Sequence, residues 1–447
     1  FIINIKIFKL KRLDKVSMNK FNYTAISDDC VKCGKCKPVC TIFNINQDEA
    51  TSPRGFIDLL GAYERNELEL DKTAKDIFES CFLCTNCVEA CPNDLPTDMI
   101  IEQVRSDIAK KFGIAWYKRL FFFLLRHRKI MDFMSKLGWM FQTCALKIDE
   151  KKQSALPRFS LPIVKKDRAL PYADSTSFLN KYPANIKALN KVHEEEKKNK
   201  VAIFIGCMSN YTYTNTGDAL VKILKKLELD IMIPKKQLCC GAPAYFTGAF
   251  DTVDYLAKKN IEYFETWIDE VDAVIIPEAT CSAMIKQDWE HYFHDQPQWK
   301  ERAVKLSKKI FMATKWLENS TDLKNLLASS GKKFDDLVTY HDPCHAKKMQ
   351  GVWQEPRNLL KQNYVLKEMS DSNRCCGFGG VTMQTEKYDF SKAAGAPKAA
   401  MIRETKAQIV SAECSACRMQ ITNSLYLANV DVQFKNPIEL IAEALED

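Results

Sequence analysis

Eight cysteines near the start of the chain stand in one pattern written twice. Cys30, Cys33, Cys36 and Cys40 return as Cys81, Cys84, Cys87 and Cys91, each run reading C-x2-C-x2-C-x3-C, with Pro92 after the second. Thiolates at this spacing suit iron. A cubane 4Fe-4S cluster needs four sulfurs converging tetrahedrally, and a tight loop with two residues between ligands wraps one face of the cube while its amides point at the sulfurs. One run supplies three corners. The competing readings are a disulfide framework, which needs an oxidising compartment, and paired zinc sites, which rarely keep this eight-cysteine register.

A second set follows another rule. Cys207 is followed by Cys239-Cys240-Gly241 and Cys281, and Cys344 by Cys375-Cys376-Gly377, Cys414 and Cys417. From the lone cysteine to the Cys-Cys pair there are 31 intervening residues in the first copy and 30 in the second, which marks an internal duplication. The copies differ in one place: aligning Cys281 with Cys417 puts Glu278 opposite Cys414, so the second half offers five thiolates and the first four. Four suffice for a cubane, or for a differently shaped cluster with Glu278 as an oxygen ligand. Tetrahedral cysteine sites also suit zinc, and that alternative stays open for each half.

The elements that must position these residues are legible around them. Apolar runs Val201 to Ile205 and Leu337 to Tyr340 read as strands ending near the first cysteine of each copy, Ala219 to Leu227 and Asn358 to Gln362 as helices, and Asp272 to Pro277 and Gln408 to Ala412 as further strands before the last cysteines. Strand and helix in alternation imply a parallel α/β sheet, whose ligands gather at the strands' C-terminal ends. The expected fold is multidomain: a mainly α-helical domain with two 4Fe-4S sites, then duplicated α/β domains. The boundaries are a leader over residues 1–20, the two-cluster domain over 21–112, a basic aromatic segment and linker over 113–200, and the duplicated domains over 201–320 and 335–447.

Together these motifs carry a resemblance. The amino-terminal runs resemble two-cluster bacterial ferredoxins, in which the fourth cysteine of each run ligates the other cluster. By that resemblance Cys30, Cys33, Cys36 and Cys91 hold cluster 1, and Cys81, Cys84, Cys87 and Cys40 hold cluster 2. Thr41 departs from the pattern, which usually has proline there. Tyr340-His341-Asp342-Pro343-Cys344-His345, Arg374-Cys375-Cys376-Gly377-Phe378-Gly379-Gly380 and Glu413-Cys414-Ser415-Ala416-Cys417 resemble the duplicated CCG domain of heterodisulfide reductase catalytic subunits. Behind a ferredoxin domain, and with Thr51-Ser52-Pro53-Arg54-Gly55 between its two runs, the arrangement is similar to the iron-sulfur subunits of glycolate oxidase, lactate-utilisation complexes and anaerobic glycerol phosphate dehydrogenase. The resemblance implies one or two further iron-sulfur clusters, held by Cys207, Cys239, Cys240 and Cys281 in the first CCG site and by Cys344, Cys375, Cys376, Cys414 and Cys417 in the second. It also implies an electron-transfer subunit of a membrane-associated oxidoreductase, taking electrons from a flavin-containing dehydrogenase partner that oxidises a 2-hydroxy acid such as glycolate or lactate, and passing them to quinone or another membrane acceptor. The alternative is a catalytic subunit that reduces or forms a disulfide at a CCG cluster.

Composition narrows the setting. The formal charge is +8, but Lys6, Lys9, Lys11, Arg12 and Lys15 against Asp14 supply much of it from the leader, which begins with Phe1 ahead of the first methionine, Met18, and reads either as a non-native extension or as the remnant of a longer terminus. No nucleic-acid module accompanies the charge, so nucleic-acid binding is not expected. No signal peptide is evident, and reduced thiolates point to the cytoplasm. Between Lys110 and Lys129 seven cations without an acid surround the run Leu120 to Leu125, as in a basic helix lying on the inner face of the cytoplasmic membrane or, equally, packed on the ferredoxin domain. No Gly-x-Gly-x-x-Gly follows a strand, so a flavin or nicotinamide site is not signalled and a flavin-bearing partner is implied. His341 and His345 read as strand-end loop residues, Cys144 as a small buried hydrophobe, and Glu194 to Lys200 as a solvated linker. If Cys40 crosses between runs, Cys40→Ser will degrade the paramagnetic signal of the cluster held by Cys81, Cys84 and Cys87 and spare its neighbour. Loss of the neighbour alone would show that the crossing is wrong.

Overall fold

Five residues between the two cysteine runs show how local chemistry builds the amino-terminal domain. Ser52 accepts a hydrogen bond from the Gly55 amide (3.0 Å) and caps the helix Pro53–Glu64, with Pro53 at its first position. Arg54 reaches back to Glu49 (2.8 Å) and to the Lys32 carbonyl (3.2 Å), and a Cβ on Gly55 would lie 1.9 Å from the Glu49 carbonyl oxygen. The computed structural model of the chain describes residues 22–160, 164–188 and 200–446, so the expected leader and all but the last residue of the run Glu194 to Lys200 lie outside the described residues. Around Pro53–Glu64 pack the helices Tyr23–Asp28, Lys72–Glu79 and Thr97–Phe112, on a core that includes Ile42, Phe56, Leu60, Phe78 and Ile100.

Two helices, Trp116–Arg126 and Arg128–Ala145, lead to an antiparallel hairpin of β1 (Leu146–Asp149) and β2 (Ser154–Pro157). The short strand β3 (Asn185–Ile186) then runs antiparallel at the edge of a sheet completed by β4 (Lys200–Ile203), β5 (Asp230–Met232), β6 (Ala273–Ile276) and β7 (Ile310–Met312), which are mutually parallel. A second parallel sheet holds β8 (Phe334–Tyr340), β9 (Tyr364–Leu366), β10 (Ile409–Ser411) and β11 (Gln433–Lys435). The spatial orders are β3-β5-β4-β6-β7 and β11-β10-β8-β9, so the four parallel strands of each half follow the same 2-1-3-4 winding. The duplication seen in the cysteines is therefore a duplication of fold. β6 and β10 are buried throughout, as expected of strands covered on both faces.

Sequence periodicity missed β5, β7, β9 and β11. Each has three residues, too few to show a period, and each is held by its parallel neighbours. The two sheets share one core, in which Ile203, Leu220 and Ile275 join Val338, Ile409 and Leu440. A buried ion pair, Arg418 to Glu439 at 2.7 Å, with Thr216 donating to the same carboxylate at 2.6 Å, ties the halves.

The basic aromatic segment differs from its expectation. Lys118 is buried, paired with Glu386 (2.7 Å) and donating to Thr382 (3.0 Å); Arg126 stacks on Tyr255; Arg128 donates to the Lys235 carbonyl (2.8 Å). These cations fasten the helix to the protein. The outward residues are apolar instead: Trp116, Leu120 and Phe123, then Ile130, Phe133, Met134, Leu137, Met140 and Phe141 on Arg128–Ala145, a helix with no buried residue. Cys144 is exposed, not buried, because it belongs to that helix. Among the described residues no helix is long and apolar enough to cross a membrane.

Arg105 joins the amino-terminal domain to the first sheet domain. Its buried guanidinium donates to the carbonyls of Glu79 (3.2 Å), Cys81 (2.6 Å) and Phe246 (2.8 Å). Arg105→Met will strand those carbonyls and lower stability by about 3 kcal/mol. The check is an earlier thermal loss of the protein's visible absorbance; an unchanged transition would mean that the domains dock without this side chain.

Candidate metal centres

The first cysteine run is a loop closed by turns, and in the second Cys87 lies in the short helix Asn86–Glu89. Cys30, Cys33, Cys36 and Cys91 line one recess, and Cys40, Cys81, Cys84 and Cys87 line the next, with Cys87 on the wall of both. Burial raises the Cys36 thiol with Cys30 and Cys91 adding to the effect, and raises the Cys40 thiol with Cys84 and Cys81 adding to it. The Thr41 hydroxyl lies 3.5 Å from the Cys84 sulfur and the Leu83 amide donates to the Cys81 sulfur at 3.4 Å. The departure from proline at Thr41 thus places a hydroxyl beside the Cys84 sulfur, which no feature of the run had signalled.

In the sheet domains the cysteines collect at the strands' C-terminal ends, where each sheet's winding reverses. Cys207 lies in the helix Gly206–Tyr211 after β4, and Cys281 in Ala279–Ala283 after β6. Cys239 and Cys240 follow β5 and precede Gly241, whose φ of 97° turns the chain into Ala242–Tyr245. The second half repeats this, with Cys344 opening Cys344–Gln350 and Cys414 capping Ser415–Leu427, which contains Cys417. The sulfurs converge: Cys239 to Cys207 is 3.8 Å, Cys240 to Cys281 is 3.3 Å and Cys376 to Cys417 is 3.4 Å. Both sets open on one cavity of about 320 Å³, lined by Cys207, Cys240 and Cys281 from one half and Cys344, Cys375 and Cys414 among others from the second.

Glu278, opposite Cys414 in the repeat, reaches across to the other half. Its carboxylate accepts from Ser209 (2.5 Å), from the Ser415 amide (2.7 Å) and from the Ser415 hydroxyl. It caps the helix that carries Cys417, so both oxygens are engaged, while burial raises its pKa against those hydrogen bonds. Glu413 does the converse, accepting from the Thr314 amide (3.2 Å) and hydroxyl across the same junction.

The electrostatics test whether these residues fit iron. Burial pushes the thiols of Cys81 and Cys344 up to about 12 and raises that of Cys40, so as bare thiolates they would be buried anions without compensation. Against that trend, the Cys417 thiol draws Cys414 down to about 7. Thiols from Cys375 and Cys417 likewise lower Cys376. Such sulfur groups fit a cationic metal core, which lets every thiol ionise. Lys348 adds fixed positive charge. It donates to the Cys84 carbonyl (3.0 Å) and to Asn86, and although burial works against its charge, the Cys84, Cys344 and Cys375 sulfurs raise its pKa.

The ferredoxin sites and the second CCG site touch. Cys84 packs against the apolar cluster that holds Cys375, Met383 and Ala394 together with Phe56 and Phe78, and Lys348 of the second CCG half donates to the Cys84 carbonyl. His345, 3.3 Å from the Cys344 sulfur through Nδ1, lines the shared cavity beside Phe246. His341 is buried, and burial together with the Lys398 ammonium holds its imidazole well below the usual histidine range.

Comparison with known proteins falls on these same residues. Residues 26–95 match the 4Fe-4S dicluster domain, and residues 201–286 and 338–422 each match the cysteine-rich CCG domain. The probable glycolate oxidase iron-sulfur subunit of Bacillus subtilis is 28% identical over 401 residues, 88% of each chain. Lactate utilization protein A of Bacillus velezensis is 30% identical over 245 residues, 54% of this chain and 98% of that one. One subunit of the CoM/CoB fumarate reductase of Methanothermobacter marburgensis is 27% identical over 439 residues, 94% of this chain and 72% of that one. A crystal structure of a hypothetical protein from Helicobacter pylori shares the fold, with a TM-score of 0.53 at 9% identity over 99% of this chain and 76% of that one. With a dicluster domain followed by paired CCG domains, the chain belongs to the iron-sulfur subunits of the glycolate oxidase and lactate-utilisation type, electron-transfer subunits of oxidoreductases that carry several iron-sulfur clusters.

Proposed function

We propose that this chain carries electrons between a flavin-bearing dehydrogenase, acting on a 2-hydroxy acid such as glycolate or lactate, and a quinone at the membrane. Cys30, Cys33, Cys36 and Cys91 hold one cubane and Cys81, Cys84, Cys87 and Cys40 the other. Cys207, Cys239, Cys240 and Cys281 form the first CCG centre, and Cys344, Cys375, Cys376, Cys414 and Cys417 the second. Clusters bound at these residues supply one-electron chemistry, which bridges the two-electron flavin and the acceptor. The observation that carries the reading is that Cys84 and Cys375 pack in one apolar cluster, with Lys348 of the second CCG half donating to the Cys84 carbonyl (3.0 Å). Through it the ferredoxin sites adjoin the second CCG site and the cavity that it shares with the first. Arg105 and Lys348 hold that junction shut by binding the carbonyls of the Cys81 to Cys84 loop.

The shared cavity favours a second reading. At about 320 Å³, with a thiol set on each side, it could admit a small disulfide between the two CCG centres, and the chain would then be catalytic. Anaerobic purification of the native complex separates the two: the electron-transfer reading expects a co-purifying flavoprotein and cluster reduction by glycolate or lactate. Clusters that ignore both acids but are oxidised by a disulfide would favour the second.

Membrane association rests on the apolar face of Arg128–Ala145, with Lys129 and Lys136 exposed on the same helix. Aromatic and long aliphatic residues beside cations suit the headgroup boundary of an anionic bilayer. Replacing Phe133, Met140 and Phe141 by serine will move the protein from the membrane fraction to the supernatant, whereas Lys118→Gln will weaken the fold and not the membrane contact. Unchanged sedimentation of the triple variant would contradict this.

A further inference from the structure

The second CCG site contains a nitrogen that the cysteine pattern does not account for. A ring nitrogen of His341 and the sulfurs of Cys376 and Cys417 all lie within 4.8 Å of one another. His341 is 1% exposed. Its Nδ1 lies 3.2 Å from the Ser372 carbonyl oxygen, which can only accept, so Nδ1 carries the proton. Nε2 is then a bare lone pair, and it has no hydrogen-bond partner although it is buried. Such an orphan acceptor is costly to bury unless something occupies it.

The surroundings fix this ring in place. The His341 amide donates to the Ser411 carbonyl (2.9 Å), which ties the loop after β8 to the end of β10. Next to it, buried Asp342 accepts from Arg357 (2.6 Å), Ser372 (2.8 Å) and Lys347 (3.1 Å). Arg357 is itself gripped by Glu368 at 2.7 Å, so the loop cannot turn the imidazole without breaking an ion-pair network. A ring nitrogen donating to a backbone carbonyl, with the other left bare and two cysteine sulfurs close to the ring, is the arrangement in which metal-bound histidines are held.

The geometry points to His341 Nε2 as an iron ligand of the second CCG centre, beside the thiolates of Cys376 and Cys417. This rests on the proposal that the second site holds an iron-sulfur cluster, and it adds a nitrogen to a ligand set that the motif describes as sulfur alone. The duplication sharpens it. Aligning Cys207 with Cys344 puts Phe204 at the place of His341, and the Phe204 amide makes the corresponding bond to the Ile275 carbonyl (3.1 Å). The first half thus keeps the backbone and has no nitrogen to offer. A neutral imidazole at an iron that a hydroxide would otherwise occupy raises that centre's reduction potential.

The test is hyperfine spectroscopy on anaerobically purified, cluster-loaded protein carrying nitrogen-15 histidine. Expected is a nitrogen coupling of the size of a direct iron–imidazole bond on the second centre, retained in His345→Asn and lost in His341→Ala, with a lower midpoint potential for that centre in the latter. A second-centre signal with no histidine coupling overturns the ligand and leaves the iron-sulfur reading standing. So does a coupling that survives in His341→Ala. Should His341→Ala not fold, the isotope spectrum of the unsubstituted protein with that of His345→Asn decides the matter. Iron confined to the ferredoxin sites, or zinc in the second CCG site, overturns both the ligand and the reading beneath it.

Discussion

Burial of a thiolate is the constraint on which this structure turns. A sulfur anion removed from water is unfavourable unless a cation or strong donors meet it, and the fold buries such sulfurs in groups, where each also repels its neighbours. The chain answers with four devices: backbone amides aimed at sulfur, as at Cys81; a hydroxyl, as Thr41 at Cys84; a half-buried ammonium, Lys348; and cysteine spacing suited to a shared metal core. Only the last can neutralise four thiolates at once. The loops that bear them therefore depend on iron for their charge balance, and stability and cofactor content are linked.

The duplication has produced two sites that share a scaffold and differ in chemistry. Both halves wind their strands alike and bring cysteines to the same crevice. Glu278 then binds the Ser415 amide of the opposite half, and Glu413 the Thr314 amide in return, so each half finishes a helix end in the other. The second half gains Cys414 and His341; the first holds Glu278 and Phe204 in their places. One repeat has kept a simpler set of donors, and the other has become richer on the side that meets the ferredoxin domain.

Much of this was legible in the sequence because ligand spacing is a local property. The runs at Cys30 and Cys81, the Cys-Cys-Gly repeats and the surplus at Cys414 could be read without a structure, and the α/β architecture followed from their position after apolar strands. What could not be read depends on partners far along the chain. Lys118 looked like a surface cation until Glu386 was found beside it, and Lys348 had no motif to tie it to Cys84. His341 looked like a loop residue because its bare nitrogen shows only once Cys376 and Cys417 are folded against it; the signal available was its pairing with Phe204 in the repeat. The three-residue strands carry no period at all.

The central claim is that the ferredoxin sites and the second CCG site are joined closely enough, through Cys84 and Cys375, to work as one conductor. Electron paramagnetic resonance during a stepwise anaerobic reduction of the holoprotein tests it directly. Clusters in adjoining sites will broaden or split one another's signals once both are paramagnetic, and relax faster together than either does alone. Signals that simply add, with no sign of magnetic interaction between the ferredoxin pair and the second CCG centre, would contradict the account.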